Sequence, residues 1–256
     1  MNLLLANDDG YQAEGLKILA EKLSKQHNVY VVAPESNRSA VSQHISMFNS
    51  LSVRKVTDRV WACSGFPADC VAIGLISDLL DVKIDAVVSG INTGANLGTD
   101  ILYSGTCAAA KQAILTKVPA IAVSLDPVDW EKANKEGYKF NALADFIANN
   151  LEKLVSLSRL DSPRMFVNVN GASIDSYKGY KFTNDLCLRD YEDKIKLTAS
   201  ENDKNLYTSS FVPGSGETYS KENGDFRAVR DGFISISLVY ADPVCSETVD
   251  GILLSL

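Results

Sequence analysis

The chain has 256 residues, 46% of them apolar and 22% charged, and no stretch combines low hydrophobicity with a sustained run of one charge, so a packed globular core is expected. Its 32 acidic against 25 basic side chains leave a net charge of −7, which repels polyanions and argues against binding to nucleic-acid polymers or anionic membranes. A small phosphorylated ligand is compatible with that charge if the site neutralises it locally, and a bound cation is the simplest means.

In chain order, Leu3-Leu4-Leu5-Ala6 predicts a first strand; the apolar run is too short for a signal peptide and meets Asp8 and Asp9 at once. Helical periodicity over 14–25 and an apolar run over 29–33 follow, the rhythm of a βαβ unit. Two short strand-like runs, 51–56 and 60–63, precede a helix predicted over 67–80, with Pro67 in the first helical position that proline favours. Ala86-Val87-Val88 predicts the central strand, then a Gly- and Asn-rich loop over 89–103, an Ala-rich helix over 106–116 and a strand over 120–125. The expected fold is therefore α/β, a Rossmann-like, doubly wound, mostly parallel sheet.

One domain is expected over 1–256, with a core over 1–173 that carries the site. Residues 174–256 form a C-terminal β-rich arm that includes a last strand or helix: the pattern degrades over 174–231 into polar, Tyr- and Asp-rich sequence, then alternates as a strand over 233–240. Loops this long are uncommon unless they function, so the arm reads either as solvated surface loops or as an oligomerisation element. Cys63, Cys70, Cys107, Cys187 and Cys245 are odd in number and lack a C-x-x-C pair, which indicates reduced thiols and no thiolate zinc site. With no apolar stretch near the ~18 residues of a membrane span, a cytoplasmic protein is expected.

In open parallel sheets ligands bind beyond the carboxyl ends of the strands. Strand one exits into Asn7-Asp8-Asp9-Gly10, strand two into residues 34–39 ending at Ser39, and the central strand into Ser89-Gly90-Ile91-Asn92. Adjacent carboxylates at Asp8 and Asp9 repel each other unless a cation or a shared proton relieves them. With the Ser39 hydroxyl and the Asn92 amide, the donors are all hard oxygen, suited to Mg²⁺ or Mn²⁺. Taken alone, Asp8-Asp9-Gly10 also reads as a strand-end turn. The loop bearing Gly90, Gly94 and Gly98 leads to Tyr103-Ser104-Gly105-Thr106 at a helix start, a pattern that suits a phosphate cradle, although Ser104 or Thr106 equally reads as an ordinary N-cap.

G-x-G-x-x-G after strand one, G-x-x-x-x-G-K-[ST] and G-x-S-x-G are all absent from the sequence, which removes support for dinucleotide binding, P-loop hydrolysis and a nucleophile elbow. Only His27 and His44 are available as imidazole bases; His27 reads as a surface residue and His44 as structural, or else as facing the crevice.

Asn7-Asp8-Asp9-Gly10, Val32-Ala33-Pro34 with Asn37-Arg38-Ser39, Gly65-Phe66-Pro67-Ala68-Asp69-Cys70, Ser89-Gly90-Ile91-Asn92 through Gly98, Tyr103-Ser104-Gly105-Thr106 and Gly224-Asp225-Phe226 together resemble the SurE family, survival-protein nucleotidases that remove phosphate from nucleoside monophosphates. The resemblance implies a metal-dependent hydrolase of nucleoside 5'-monophosphates, with 3'-monophosphates and short polyphosphate as further substrates. It also implies one divalent cation per subunit, Mg²⁺ or Mn²⁺, held by Asp8, Asp9, Ser39 and Asn92, with Asp8 and Asp9 catalytic. Asn96, Ser104, Gly105 and Thr106 correspond to phosphate-side residues. A homodimer or homotetramer joined through the C-terminal arm is implied as well. Phe66 and His44 depart from the family pattern, which bears on substrate preference more than on the reaction. Two alternatives stand beside this reading: a haloacid-dehalogenase-like phosphatase, whose aspartyl nucleophile wants D-x-D where the carboxylates here are adjacent, and a non-catalytic nucleotide- or metal-binding protein.

Overall fold

The computed structural model describes residues 1–189, 192–203, 205–212, 214 and 218–243, so Cys245 and the end of the arm lie outside the described residues. The first half alternates strands and helices: β1 (Asn2–Ala6), α1 (Glu14–Ser24), β2 (Asn28–Pro34), β3 (Val53–Thr57), β4 (Val60–Cys63), α2 (Pro67–Ile76), β5 (Ala86–Thr93), a 3-10 turn (Gly98–Leu102), α3 (Gly105–Leu115) and β6 (Ala120–Asp126). The second half adds α4 (Trp130–Glu136), α5 (Asn141–Ser156), β7 (Met165–Ala172), β8 (Tyr180–Phe182), β9 (Leu188–Arg189), β10 (Lys194–Ala199), β11 (Tyr207–Val212), β12 (Thr218–Tyr219), α6 (Asp225–Arg230) and β13 (Ile234–Tyr240). Among the described residues no helix is long and apolar enough to cross a membrane.

Nine strands form one sheet in the order β3-β4-β2-β1-β5-β6-β7-β13-β8. Its centre, from β4 through β7, is parallel, while β3 and β13 run antiparallel to their neighbours β4 and β7. Alternation along β1 shows why both faces are covered: Leu3 and Leu5 join the core beneath α1 and α5, whereas Leu4 and Ala6 join the core beneath α2 and α3. Chain order runs outward from β1 through β2 to β4 on one side and through β5 and β6 to β7 on the other, so the topological switch lies between β1 and β5. That is where an open α/β sheet leaves a crevice.

Two sequence expectations shift. The helix after Pro67 ends at Ile76, short of residue 80, because the Ser77 hydroxyl donates to the Ile73 carbonyl at 2.6 Å while its backbone turns extended. Residues 89–93 continue β5 with a bulge against β6 between Ser89 and Asn92, so Asn92 is carried by a strand end and not by a loop. The C-terminal arm is β-rich as expected and includes the antiparallel hairpin of β10 and β11, all of whose residues are exposed. Fully buried Asp225 ties the arm to the core, accepting from the Cys187 and Gly98 backbone N–H groups at 2.8 Å each.

Candidate active site

Asn7, fully buried after β1, folds back on its own turn: its amide donates to the Gly10 carbonyl at 2.9 Å and accepts from the Gly10 N–H at 3.2 Å. Gly10 sits at φ +103°, a conformation costly for any side chain, and the closed turn carries Asp8 and Asp9 at the switch crevice. The Arg38 N–H donates to the Asp8 carbonyl at 2.7 Å, docking the loop after β2 on the same turn.

Asp8 is buried against the start of α3. The Thr106 hydroxyl donates to its Oδ1 at 2.6 Å and the Thr106 N–H to its Oδ2 at 3.2 Å. Gly105 leaves the room for this approach, since a Cβ there would lie 2.8 Å from the Asp8 Cβ and 3.0 Å from the Pro67 Cγ. Burial pushes the Asp8 carboxyl above its ordinary range despite these donors. Asp9 is lifted from 3.8 to about 6, chiefly by burial and further by the Asp8 charge, against the lowering effect of the Thr93 N–H that donates to its Oδ2 at 3.0 Å. Two neighbouring carboxylates that both resist ionisation make a site whose charged form calls for a positive partner.

Ser39 is exposed, with its N–H held by the Asn37 side chain at 2.9 Å, and the Asn37 amide reaches Asp9 at 3.5 Å. Asn92 donates to the Gly94 carbonyl at 2.8 Å, which commits its nitrogen and makes its oxygen the amide atom suited to a cation. Ser104 caps α3, accepting from the Cys107 N–H at 2.9 Å. Asn96 is held by three other side chains: its N–H donates to Asn170 Oδ1 at 2.8 Å, its carbonyl accepts from Asn168 and Asn170 at 2.9 and 3.2 Å, and its side chain donates to Ser124 at 2.7 Å.

A cavity of about 480 Å³ opens over this floor, a size suited to small ligands. Its lining includes Asp8, Ser39, Asn92, Asn96 and Ser104, together with the aromatic residues Tyr103, Trp130 and Phe211. Of the residues singled out from sequence, Asp9, Gly105 and Thr106 are not part of that lining; Thr106 directs both of its donors to Asp8 and none to the cavity. Thr93, Asn168, Asn170 and Trp130 belong to the site or its support without a sequence motif to mark them. The two asparagines leave a trace, polar residues alternating with valine in a buried strand, whereas a backbone N–H such as that of Thr93 leaves none. His44 packs against Phe66 in a tilted contact, ring centroids 3.9 Å apart at 45°, and His27 pairs with the N-terminal amine at 3.4 Å.

The model of the family described as Survival protein SurE matches residues 3–192. The 5'-nucleotidase SurE of Treponema pallidum (strain Nichols) is 44% identical over 180 residues, covering 69% of this chain and 93% of that protein. The 5'-nucleotidase SurE of Acinetobacter baylyi is 37% identical over 249 residues, 94% of each chain. Among solved structures, the SurE protein from Aquifex aeolicus superimposes with a TM-score of 0.78 at 30% identity, covering 95% of each chain.

Proposed function

The chain belongs to the SurE family of survival proteins, and from that premise we propose that the crevice between β1 and β5 hydrolyses nucleoside 5'-monophosphates in a reaction dependent on one divalent cation. The protein is a 5'-nucleotidase, a phosphoric monoester hydrolase. The observation that carries the metal reading is a pair of adjacent carboxylates at the β1 exit, Asp8 buried and Asp9 half-buried, neither of them in an ion pair with a basic side chain among the described residues.

The residues fit such an ion. Among the described residues no three His, Cys, Asp or Glu side chains cluster, so a soft or nitrogen-rich site is not what the donors offer. Two carboxylates, a hydroxyl and an amide oxygen match a hard cation that keeps several waters, Mg²⁺ or Mn²⁺, held by Asp8, Asp9, Ser39 and Asn92. A bound cation would supply charge neutralisation and Lewis-acid polarisation of the phosphoryl group.

The chain's own residues do the rest. Asn96 and Ser104 line the cavity and take the phosphate oxygens in this reading. Thr106 fixes the rotamer of Asp8, and Gly105 keeps the gap in which that carboxylate lies. Water attacks phosphorus, the ester P–O bond breaks, and the carboxylate pair takes one proton from the water and passes it to the departing nucleoside oxygen, leaving hydrogen phosphate and a nucleoside hydroxyl. Asp8 accepts from Thr106 at both oxygens and Asp9 from Thr93 and Asn37, which disfavours a free aspartyl nucleophile.

The same reading makes the protein a homodimer or homotetramer joined through residues 174–256. Supporting it, a two-stranded hairpin is marginal alone, and β10–β11 exposes Ile195, Leu197 and Phe211. A cytoplasmic location is supported by the free thiols of Cys63, Cys70, Cys107 and Cys187. The test is phosphate release from a panel of nucleoside monophosphates with EDTA, Mg²⁺ or Mn²⁺. Release that needs the metal is expected; no release from any member under any condition overturns the proposal.

A further inference from the structure

We propose that Trp130 is the platform on which the substrate's nucleobase stacks, an inference that rests on the nucleotidase reading and adds the part of the substrate it recognises. Trp130 follows the carboxyl end of β6, where Asp126 accepts from the Val128 N–H at 2.8 Å and Asp129 caps α4 by accepting from the Lys132 N–H at 3.0 Å. These two short turns set the indole beside the crevice. One side of the ring lies against Gly94, where a Cβ would stand 3.5 Å from it. An edge contact with Tyr138, centroids 6.4 Å apart at 74°, and the contact of Tyr138 with buried Phe140 at 5.9 Å anchor the indole to the core.

Held in this way, the indole remains 53% exposed and lines the same cavity as Asp8, Ser39 and Asn92. A large aromatic surface fixed in place and left open has unused stacking capacity. A nucleoside monophosphate carries its charge at one end and a planar ring at the other, matching a cavity with oxygen donors on its floor and Trp130 in its wall. Stacking tolerates any base, because every base has a π-face, so discrimination is expected between nucleotides and phosphate esters without a base more than among nucleotides.

The test is the ratio of kcat/KM for AMP to that for ribose 5-phosphate, measured by phosphate release for the wild type, Trp130→Ala and Trp130→Phe. The expected result is a fall of the ratio by about tenfold or more in Trp130→Ala, carried mainly by KM for AMP, with most of it retained in Trp130→Phe. An unchanged ratio overturns the inference, including the case of equal loss on both substrates, which would mean that Trp130 acts through Gly94 and Asn92. Quenching of indole fluorescence by AMP, absent for ribose 5-phosphate, reads stacking without turnover. Quenching without any phosphate release would sink the hydrolytic reading and keep the platform; release without quenching or a ratio change would do the reverse.

Discussion

Replacing Asp9 by Asn should make the metal-free protein more stable at neutral pH while destroying its activity. The Asp9 carboxyl is lifted from 3.8 to about 6, so the folded protein binds this proton more tightly than the unfolded chain does. The stabilisation from that proton is complete below pH 3.8 and is lost as pH rises through about 6. At about 1.4 kcal/mol per pH unit the full loss approaches ~3 kcal/mol, an upper bound because Asp9 keeps some contact with solvent. Asn removes the charge and can still accept from the Thr93 N–H, so a net gain of roughly 1–2 kcal/mol is expected once imperfect replacement of the Asn37 contact is deducted. For a chain of this size that is a rise in Tm of about 2–8 °C. Thermal melts in EDTA at two pH values, near neutrality and near the ordinary carboxylate range, measure it: the variant should melt higher at neutral pH, and the gap should shrink at the acid value. A variant that melts at or below wild type at neutral pH would refute the claim that this carboxylate is buried at a cost.

Added Mn²⁺ should raise the wild-type Tm more well above the Asp9 titration than below it, since protons compete for that carboxylate below about pH 6; an equal rise on both sides, read by the same melts, contradicts the ligand assignment. Thr106→Val removes the hydroxyl 2.6 Å from Asp8 and should lower kcat by about tenfold to a hundredfold, the ~1.5–3 kcal/mol of a hydrogen bond to a charged group, with Thr106→Ser recovering most of it in steady-state kinetics. Replacing the hairpin of β10 and β11 by a short Gly-Ser linker should shift the mass measured by light scattering toward the monomer if those exposed strands join subunits; an unchanged mass counts against it.

The core elements are legible in the sequence because their signals are local. Leu3-Leu4-Leu5-Ala6 is apolar on both faces, which is what a central parallel strand requires, and Asp8 and Asp9 stand directly after it. Residues 89–92 read as a loop because Gly and Asn favour turns, yet pairing with β6 overrides that preference and keeps them in β5. Asn168 and Asn170 lie 72 and 74 residues from the Asn96 backbone they hold, and no local pattern announces such a partner. Thr106 carries a helix-start signal that is neutral about its target; only the packing of α3 against the exit of β1 shows that its hydroxyl serves Asp8. Trp130 sits in a short polar helix with no motif around it, and its place in the cavity wall follows from the turn after β6.

Anomalous diffraction from a crystal soaked in millimolar Mn²⁺ tests the metal centre most directly. A single strong peak within about 2.0–2.3 Å of oxygens from Asp8, Asp9, Ser39 and Asn92 is predicted, with waters filling the remaining octahedral positions. A crevice without a peak there, or a peak bound by other residues, would contradict it.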